Sequence, residues 1–404
     1  MRKNRKIIPI DSDTIEAPDE GYEDAYEKEY NHYYDKVSSK YRTFKIVCVF
    51  VLCTFILGSL VLFGELFTYE NARYVIRDIN QILEEDSSVP AQRITFDSDG
   101  EMDYAFYRSN LVVAGNSSVK LIGKSGKVKL VDKTQFISPT IEVSDKYCIV
   151  YSLGAYNLSV YNSVARVHDL RFDYPIFDVA LSDKGHIAVM TQNREYRCCV
   201  YLYDSNFNLL STYRKTDYPS SVTFSKTSSE LCITTFGVSN GDYYTTVDMY
   251  GFTDTQPRFS YTCSLSIPYD TFTSSNGNAV VLGEKSIIHL DASGNLINRY
   301  NTDGNITDYH FDHDLLVISH TGAQQNVISF DASGKPDITK NLSDITSVFI
   351  FDNKVYVQKK DALVDIDDSS DGLYKLNNVP QKVIYEDGYA YLCYNDCIIS
   401  VEIK

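Results

Sequence analysis

The sequence of 404 residues has no tryptophan and no Cys-x-x-Cys pair. Quinone cofactors often stack on tryptophan, and paired cysteines form structural zinc sites and thioredoxin-like redox centres. Seven of the nine cysteines lie outside the apolar run described below. Because this number is odd and the spacing irregular, no disulfide framework is indicated. We therefore expect no cofactor and no metal.

Charge is absent from residues 46–63, which read IVCVFVLCTFILGSLVLF. A bilayer core of roughly 30 Å requires about 20 helical residues, so this run predicts one transmembrane helix. A buried core helix is an alternative, but it is rarely apolar on every face. A cleaved signal peptide would lie nearer the N-terminus and end at an Ala-x-Ala-like site, whereas this run is followed by Gly64 and Glu65.

Basic residues are distributed unequally around this run. Four precede it closely: Lys36, Lys40, Arg42 and Lys45. Only Arg73 and Arg77 follow it in a comparable window. Positive charge near the ends sets orientation, so we expect a single-pass cell-membrane protein with a cytoplasmic N-terminus and an extracytoplasmic C-terminal domain. The formal net charge of −16 argues against a nucleic-acid partner, although ordinary solubility also explains it.

The segments around the run differ in pattern. Residues 1–18 are polar and contain two prolines, which predicts a disordered cytoplasmic tail. Residues 19–45 carry aromatic side chains at helical spacing, which predicts a cytoplasmic juxtamembrane helix or, equally, a solvated acidic segment. Residues 64–90 predict a helical stalk, either a short coiled coil through which two copies associate or a connector packed on its own domain.

From residue 91 onward, short alternating strands recur between Gly, Asn, Asp and Ser turns. Units begin near Glu101, Ser138, Pro175, Ser220, Tyr269, Ile306, Ile345 and Gln381. Each unit holds four strands, except that the last offers three. This period is typical of a β-propeller, and a β-sandwich, the alternative, lacks it. We predict an all-β domain at residues 91–404, an eight-bladed propeller with seven blades as the alternative count.

The two ends of this domain complement each other. The last unit lacks a fourth strand, and residues 93–96 form a free strand ahead of the first unit. We expect residues 93–96 to supply the missing outer strand, because closing the ring removes an exposed sheet edge.

The apolar helix, the stalk and the tryptophan-free blades with Asp-x-x-Gly turns, such as Asp291 to Gly294 and Asp331 to Gly334, resemble a known family. It is an uncharacterised bacterial family of single-pass, membrane-anchored β-propeller proteins, domain of unknown function family 5711. The resemblance covers residues 44–404. It implies a cell-surface or periplasm-like location and a fold similar to WD-repeat and quinoprotein propellers. It implies no catalytic residue, and fold alone does not define function.

Motifs with chemical meaning have simpler explanations here. Residues 237–241 match the G-x-S-x-G pattern of hydrolases, but strands flank them on both sides, which predicts a hairpin turn. The densest candidate metal ligands, His310, His313 and His320, lack a recognised zinc spacing. Residues 367–372 resemble the start of a calcium loop without its closing glutamate. We expect neither a catalytic centre nor a metal site.

Loops between the second and third strands of each blade lie on one face of a propeller. Three of them are enlarged: 192–197, 238–242 and 321–325. The candidate partner-binding residues on or beside them are Asn193, Arg194, Tyr243, Tyr244 and Gln324. Tyrosine is a rigid amphipathic side chain found at interface hot spots, although 33 tyrosines in the chain also place some there by chance.

These observations predict a non-enzymatic protein-interaction scaffold at the cell envelope, with an envelope protein as its partner. The alternative is a sensor or enzyme that binds a small ligand or metal on the propeller face. Titratable groups converging in one pocket would favour the alternative.

Overall fold

The computed structural model describes residues 20–62, 90–264, 267–312, 314–331, 333–367 and 373–403. The chain divides into two units after residue 84, and each is described by itself. The predicted tail at residues 1–18 lies outside the described residues. So does the predicted stalk, apart from Pro90, and with it the predicted self-association.

The first unit contains α1, a continuous helix over Glu20–Leu62. Within the described residues, it holds one window long and apolar enough to cross a membrane, Val37–Gly58, none of which is buried against the protein. Two hydroxyls are satisfied inside the helix, because Thr43 donates to the Ser39 carbonyl at 2.9 Å and Thr54 to the Phe50 carbonyl at 2.8 Å. Hydroxyl groups that donate within their own helix need no water, so the helix can lie in an apolar environment.

The described part of the second unit forms eight four-stranded antiparallel sheets, each of them one blade. Blade 1 comprises β2 (Asp103–Tyr107), β3 (Asn110–Ala114), β4 (Ser118–Gly123) and β5 (Val128–Lys133). Blade 2 comprises β6 (Pro139–Val143), β7 (Cys148–Ser152), β8 (Asn157–Tyr161) and β9 (Arg166–Arg171). Blade 3 comprises β10 (Asp178–Leu181), β11 (Ile187–Thr191), β12 (Cys198–Tyr203) and β13 (Leu209–Lys215). Blade 4 comprises β14 (Tyr218–Phe224), β15 (Glu230–Ser239), β16 (Asp242–Gly251) and β17 (Phe259–Cys263).

Blades 5 to 8 continue this order. Blade 5 comprises β18 (Pro268–Thr273), β19 (Ala279–Gly283), β20 (Ser286–Leu290) and β21 (Leu296–Asn301). Blade 6 comprises β22 (Asn305–Asp312), β23 (Leu315–Thr321), β24 (Gln325–Phe330) and β25 (Pro336–Asn341). Blade 7 comprises β26 (Ile345–Phe351), β27 (Lys354–Lys359), β28 (Ala362–Asp365) and β29 (Tyr374–Lys375). Blade 8 comprises β30 (Lys382–Glu386), β31 (Tyr389–Cys393), β32 (Cys397–Glu402) and, as its outer strand, β1 (Arg93–Thr95).

Ring closure follows the predicted scheme. β1 pairs antiparallel with β32, with Ile94 opposite Ile398. Ile94 is only 6% exposed and packs in a cluster with Leu111 of blade 1 and Tyr391 of blade 8. The eight-bladed propeller is therefore confirmed, and the seven-bladed alternative is excluded.

Hydrophobic side chains are buried between blades rather than within them. The described residues form eight core clusters, and each combines two neighbouring blades. In one, Met190 and Val200 of blade 3 meet Leu231 and Ile233 of blade 4. A blade in the ring presents both sheet faces to neighbours, which is why strands such as β3 are buried along their whole length.

Asp-x-x-Gly turns join third to fourth strands. In blade 5, Asp291 Oδ1 accepts the backbone N–H groups of Ser293 at 2.9 Å and Asn295 at 2.8 Å. Gly294 adopts φ 82°, a conformation that side chains rarely tolerate. All nine cysteines, which are within the described residues, are free thiols.

The propeller has two faces, defined by its connections. First-to-second and third-to-fourth strand turns lie on one, the turn face, and second-to-third loops and blade-to-blade connections lie on the other, the hairpin face. The Ala91 N–H donates to the Lys124 carbonyl in a third-to-fourth turn at 2.9 Å. The chain therefore enters the propeller at the turn face.

Candidate functional site

Large apolar side chains are exposed on the hairpin face. Nine of them lie in its loops and connections or at the adjoining strand ends: Ile137, Leu153, Tyr156, Tyr218, Val238, Tyr243, Ile267, Tyr269 and Val379. Ile137 reaches 82% exposure. Single exposed apolar residues are ordinary, whereas a contiguous exposed apolar patch marks an interaction surface.

A long hairpin rises from this face in blade 4. β15 and β16 contain 10 residues each and pair as far as Ser239 opposite Asp242. Asn240 and Gly241 form the turn with φ values of 55° and 92°, as the type I′ hairpin turn requires. The prediction of an enlarged loop at residues 238–242 is therefore wrong, because Asn-Gly closes the strands with two residues. No helix follows Ser239, so the hydrolase motif is this turn.

A cation and two aromatic rings connect blades 3 and 4 beneath the hairpin. The Arg197 guanidinium carbon lies 4.4 Å from the centroid of the Tyr218 ring. Tyr218 stacks on Phe236, with centroids 5.5 Å apart and an interplanar angle of 26°. We call these three residues the Arg197–Tyr218–Phe236 stack. It positions the blade 3 loop against the blade 4 hairpin, because a cation over an aromatic face is attracted by the ring quadrupole.

Tyr244 is held in place by two neighbours. Its hydroxyl donates to Asp217 Oδ1 at 2.9 Å, and this hydrogen bond raises the pKa of Tyr244. Its ring covers Gly237, where a Cβ atom would lie 2.4 Å from the hydroxyl oxygen. Glycine is therefore required opposite Tyr244 for the ring to lie flat on the hairpin.

Four of the five predicted site residues lie on the blade 3 loop and on the adjoining blade 4 hairpin. Asn193 Oδ1 accepts the N–H groups of Glu195 at 2.8 Å and Tyr196 at 2.7 Å, so its oxygen shapes the loop. Arg194 is exposed there, and Tyr243 is 48% exposed on the hairpin.

The remaining predicted residue, Gln324, is exposed on blade 6, away from this group. The sequence analysis did not predict that Arg197, Tyr218 and Phe236 contact one another. The sequence feature that could have indicated it is Tyr218, an aromatic residue at the start of blade 4, directly after the connection from blade 3.

The candidate metal ligands are not brought together. His310 lies opposite Val317 and His320 opposite Ile306, at different levels of one hairpin. His310 Nδ1 accepts the Ile350 N–H at 3.3 Å. His313 and residues 368–372 lie outside the described residues. Among those described, no three His, Cys, Asp or Glu side chains are placed to hold a metal ion.

Polar residues occupy one position in the innermost strand of every blade. This axial ring comprises Asp103, Thr140, Asp178, Ser221, Asp270, Asp308, Ser347 and Lys382.

Several side chains of the axial ring form hydrogen bonds to the next blade. Asp103 Oδ2 accepts the Ile141 N–H at 2.9 Å, and Asp178 Oδ2 accepts the Val222 N–H at 2.8 Å. Lys382 Nζ donates to Asp103 Oδ1 at 2.7 Å, which links blade 8 to blade 1. The ring thus joins neighbouring blades around the axis.

A cavity of about 350 Å³ lies beside this ring and extends to the turn face. Glu142, Asp178 and Asp270 line it. Desolvation by burial raises the pKa of Glu142 to about 7, with a further contribution from the charge of Asp270, while Lys382 acts in the opposite direction. Burial also raises the pKa of Asp270 to about 6 and that of Asp178 well above its usual range. The cavity therefore concentrates carboxyl groups that folding disfavours in their charged form.

The fold is that of a β-propeller protein with one apolar N-terminal helix. The chain belongs to a family of unknown function, DUF5711, whose model matches residues 85–387. A search of curated proteins gives no significant match.

Solved propellers share the fold at low identity. Sqt1 of Saccharomyces cerevisiae has 10% identity and a TM-score of 0.56, covering 78% of this chain and 100% of that chain. The computationally designed Ika8 protein has 13% identity and a TM-score of 0.54, with 78% and 100% coverage. BamB from Moraxella catarrhalis has 8% identity and a TM-score of 0.52, with 78% and 99% coverage. At these identities the similarity concerns the fold alone.

Glu142→Gln tests the electrostatics of the cavity. Because the folded pKa of about 7 exceeds the ordinary value of 4.5, the wild-type propeller loses stability as pH rises between these values. The variant lacks this charge and should be more stable than wild type at pH 8, by on the order of 2 kcal/mol, with the difference vanishing near pH 4.5. Denaturant unfolding at several pH values measures it. Glu101→Gln, at an exposed site, should change nothing. A Glu142→Gln effect independent of pH would contradict this explanation.

Proposed function

We propose that this protein is a non-enzymatic, single-pass membrane scaffold whose extracytoplasmic propeller binds another protein of the cell envelope through the hairpin face. The observation that carries the proposal is the set of exposed apolar side chains on that face, next to the Arg197–Tyr218–Phe236 stack. Aromatic residues and arginine dominate the binding free energy of many protein interfaces.

The apolar helix supports the membrane part of the proposal. The Val37–Gly58 window exposes its apolar side chains. A lipid bilayer supplies the missing contacts. The excess of lysine and arginine before the apolar run at residues 46–63 orients the N-terminus toward the cytoplasm.

Geometry supports the choice of face. The chain enters the propeller at the turn face, which leaves the hairpin face at the opposite end from the entry point. The long β15–β16 hairpin is rigid, because its strands pair to the tip. Rigid presentation of Val238 and Tyr243 lowers the entropy lost when a partner binds.

The axial cavity favours a second candidate function, recognition of a small ligand. Its buried carboxyls converge in one pocket, which is the feature expected of a sensor. The two functions use opposite faces of the propeller and are separable by experiment.

Protease digestion tests the orientation. In sealed, right-side-out membranes, added protease should remove the propeller, because residues beyond the helix face the added enzyme. Immunoblotting against tags at both termini measures which end survives. Inverted membranes provide the control, in which the N-terminal tag should be lost instead. Protection of the propeller in right-side-out membranes would contradict the proposal.

Site-specific photocrosslinking tests the face. A photoreactive amino acid at Tyr243 should give one discrete adduct in intact cells. The control position is Asn206, an exposed turn-face residue, which should give none. Arg197→Ala combined with Tyr218→Ala should reduce the Tyr243 adduct about tenfold, because both residues of the stack are truncated.

The melting temperature of the double variant shows whether the propeller remains folded. Equal adducts at both positions, or an adduct unaffected by the double substitution in a folded protein, would contradict binding through the hairpin face.

A further inference from the structure

We propose that the axial cavity binds an organic cation, a primary ammonium or guanidinium group carried on a short carbon chain. This inference is independent of partner binding on the hairpin face. It assigns a ligand class to a cavity in the middle of the ring.

An excess of carboxyl groups over cations is the first reason. Glu142, Asp178 and Asp270 face the cavity, and Asp103 lies close enough to raise the pKa of Glu142 further. Two lysines can offset this charge: Lys226, which lines the cavity, and Lys382, whose ammonium group donates to Asp103. A cation entering the cavity would gain the attraction of several carboxylates in a partly desolvated site.

A carboxyl group that accepts no hydrogen bond is the second reason. Among the described residues, the Glu142 carboxyl has no hydrogen-bond donor, although it lines the cavity. Tyr151 of the same blade is 2% exposed. Burial raises the pKa of its hydroxyl, and the charges of Asp178 and Glu142 raise this pKa further. The Glu142 carboxyl is therefore available to accept a hydrogen bond from a ligand in the cavity.

Aromatic rings distinguish an organic cation from a metal ion. Phe224, Phe272 and Phe311 line the same cavity, and the last two stack with centroids 4.9 Å apart. Rings attract alkylammonium and guanidinium groups and cover their carbon chains. Among the described residues, no three His, Cys, Asp or Glu side chains lie close enough together to hold one metal ion. The volume of about 350 Å³ far exceeds the space needed by one water molecule.

Calorimetric titration of the full chain in detergent tests the proposal, with n-butylammonium as the probe and n-butanol as its uncharged control. Butylammonium should bind saturably and butanol should not. Glu142→Gln should weaken binding at least tenfold, while the exposed-site variant Glu101→Gln should bind like wild type. A capped lysine peptide binding tenfold tighter than butylammonium would identify a protein side chain as the source of the cation, and equal affinity would identify a free amine.

Protonation provides a second readout. The charged groups around the site are Asp103, Glu142, Asp178, Asp183, Lys226, Asp270, His310 and Lys382. A bound cation favours ionised Glu142, so binding near pH 7 should release protons, and affinity should fall as the pH drops below about 7. The buffer dependence of the binding enthalpy measures the released protons.

Three results would overturn the proposal. The first is no saturable binding at about 10 mM butylammonium, where an interaction of about 3 kcal/mol would be visible. The second is equal affinity for wild type and Glu142→Gln. The third is saturable binding of Ca²⁺ or Mg²⁺ in place of the amine.

Discussion

Burial of each blade against its neighbours is the constraint on which the propeller depends. A single four-stranded sheet here has two apolar faces and no core of its own, and the eight clusters of the described residues all lie between blades. The ring must therefore close, and β1 closes it by pairing with β32. The axial ring adds hydrogen bonds between neighbouring blades, such as the one that the Val348 N–H donates to Asp308 Oδ2 at 2.7 Å. Closure of the ring places the two proposed sites, the hairpin face and the cavity that extends to the turn face, on opposite sides of the propeller.

Much of this architecture could be predicted from the sequence, because it depends on local patterns. The recurrence from Glu101 to Gln381 gave eight units, and the unpaired strand before Asp103 matched the missing strand after Cys397. The Asn240–Gly241 turn shows where such reasoning ended. Its dipeptide is a hairpin signal, and the flanking strands predicted a hairpin turn at residues 237–241, but the pattern did not predict that pairing continues as far as Ser239 opposite Asp242.

The sites were harder to predict, because their residues meet only through the ring. Tyr243 and Tyr244 were identified by their loop position, whereas Arg197 and Tyr218 join across two blades and share no local motif. A recurring sequence position did indicate the carboxyl groups around the axis. Asp103, Asp178, Asp270 and Asp308 recur at one position of the repeat, but only closure of the ring turns that recurrence into a cluster around an axis.

Hydrogen exchange of the Ile94→Ala variant tests the central claim that the blades share one closed core. Truncating this buried side chain should lower the unfolding free energy by about 2–5 kcal/mol, and a closed ring should transmit the loss to every blade. Inner-strand amides of all eight blades should then lose protection by the same factor, while Thr95→Ala, at the exposed neighbouring position, should leave protection nearly unchanged. Loss of protection confined to blades 8 and 1 would contradict the account.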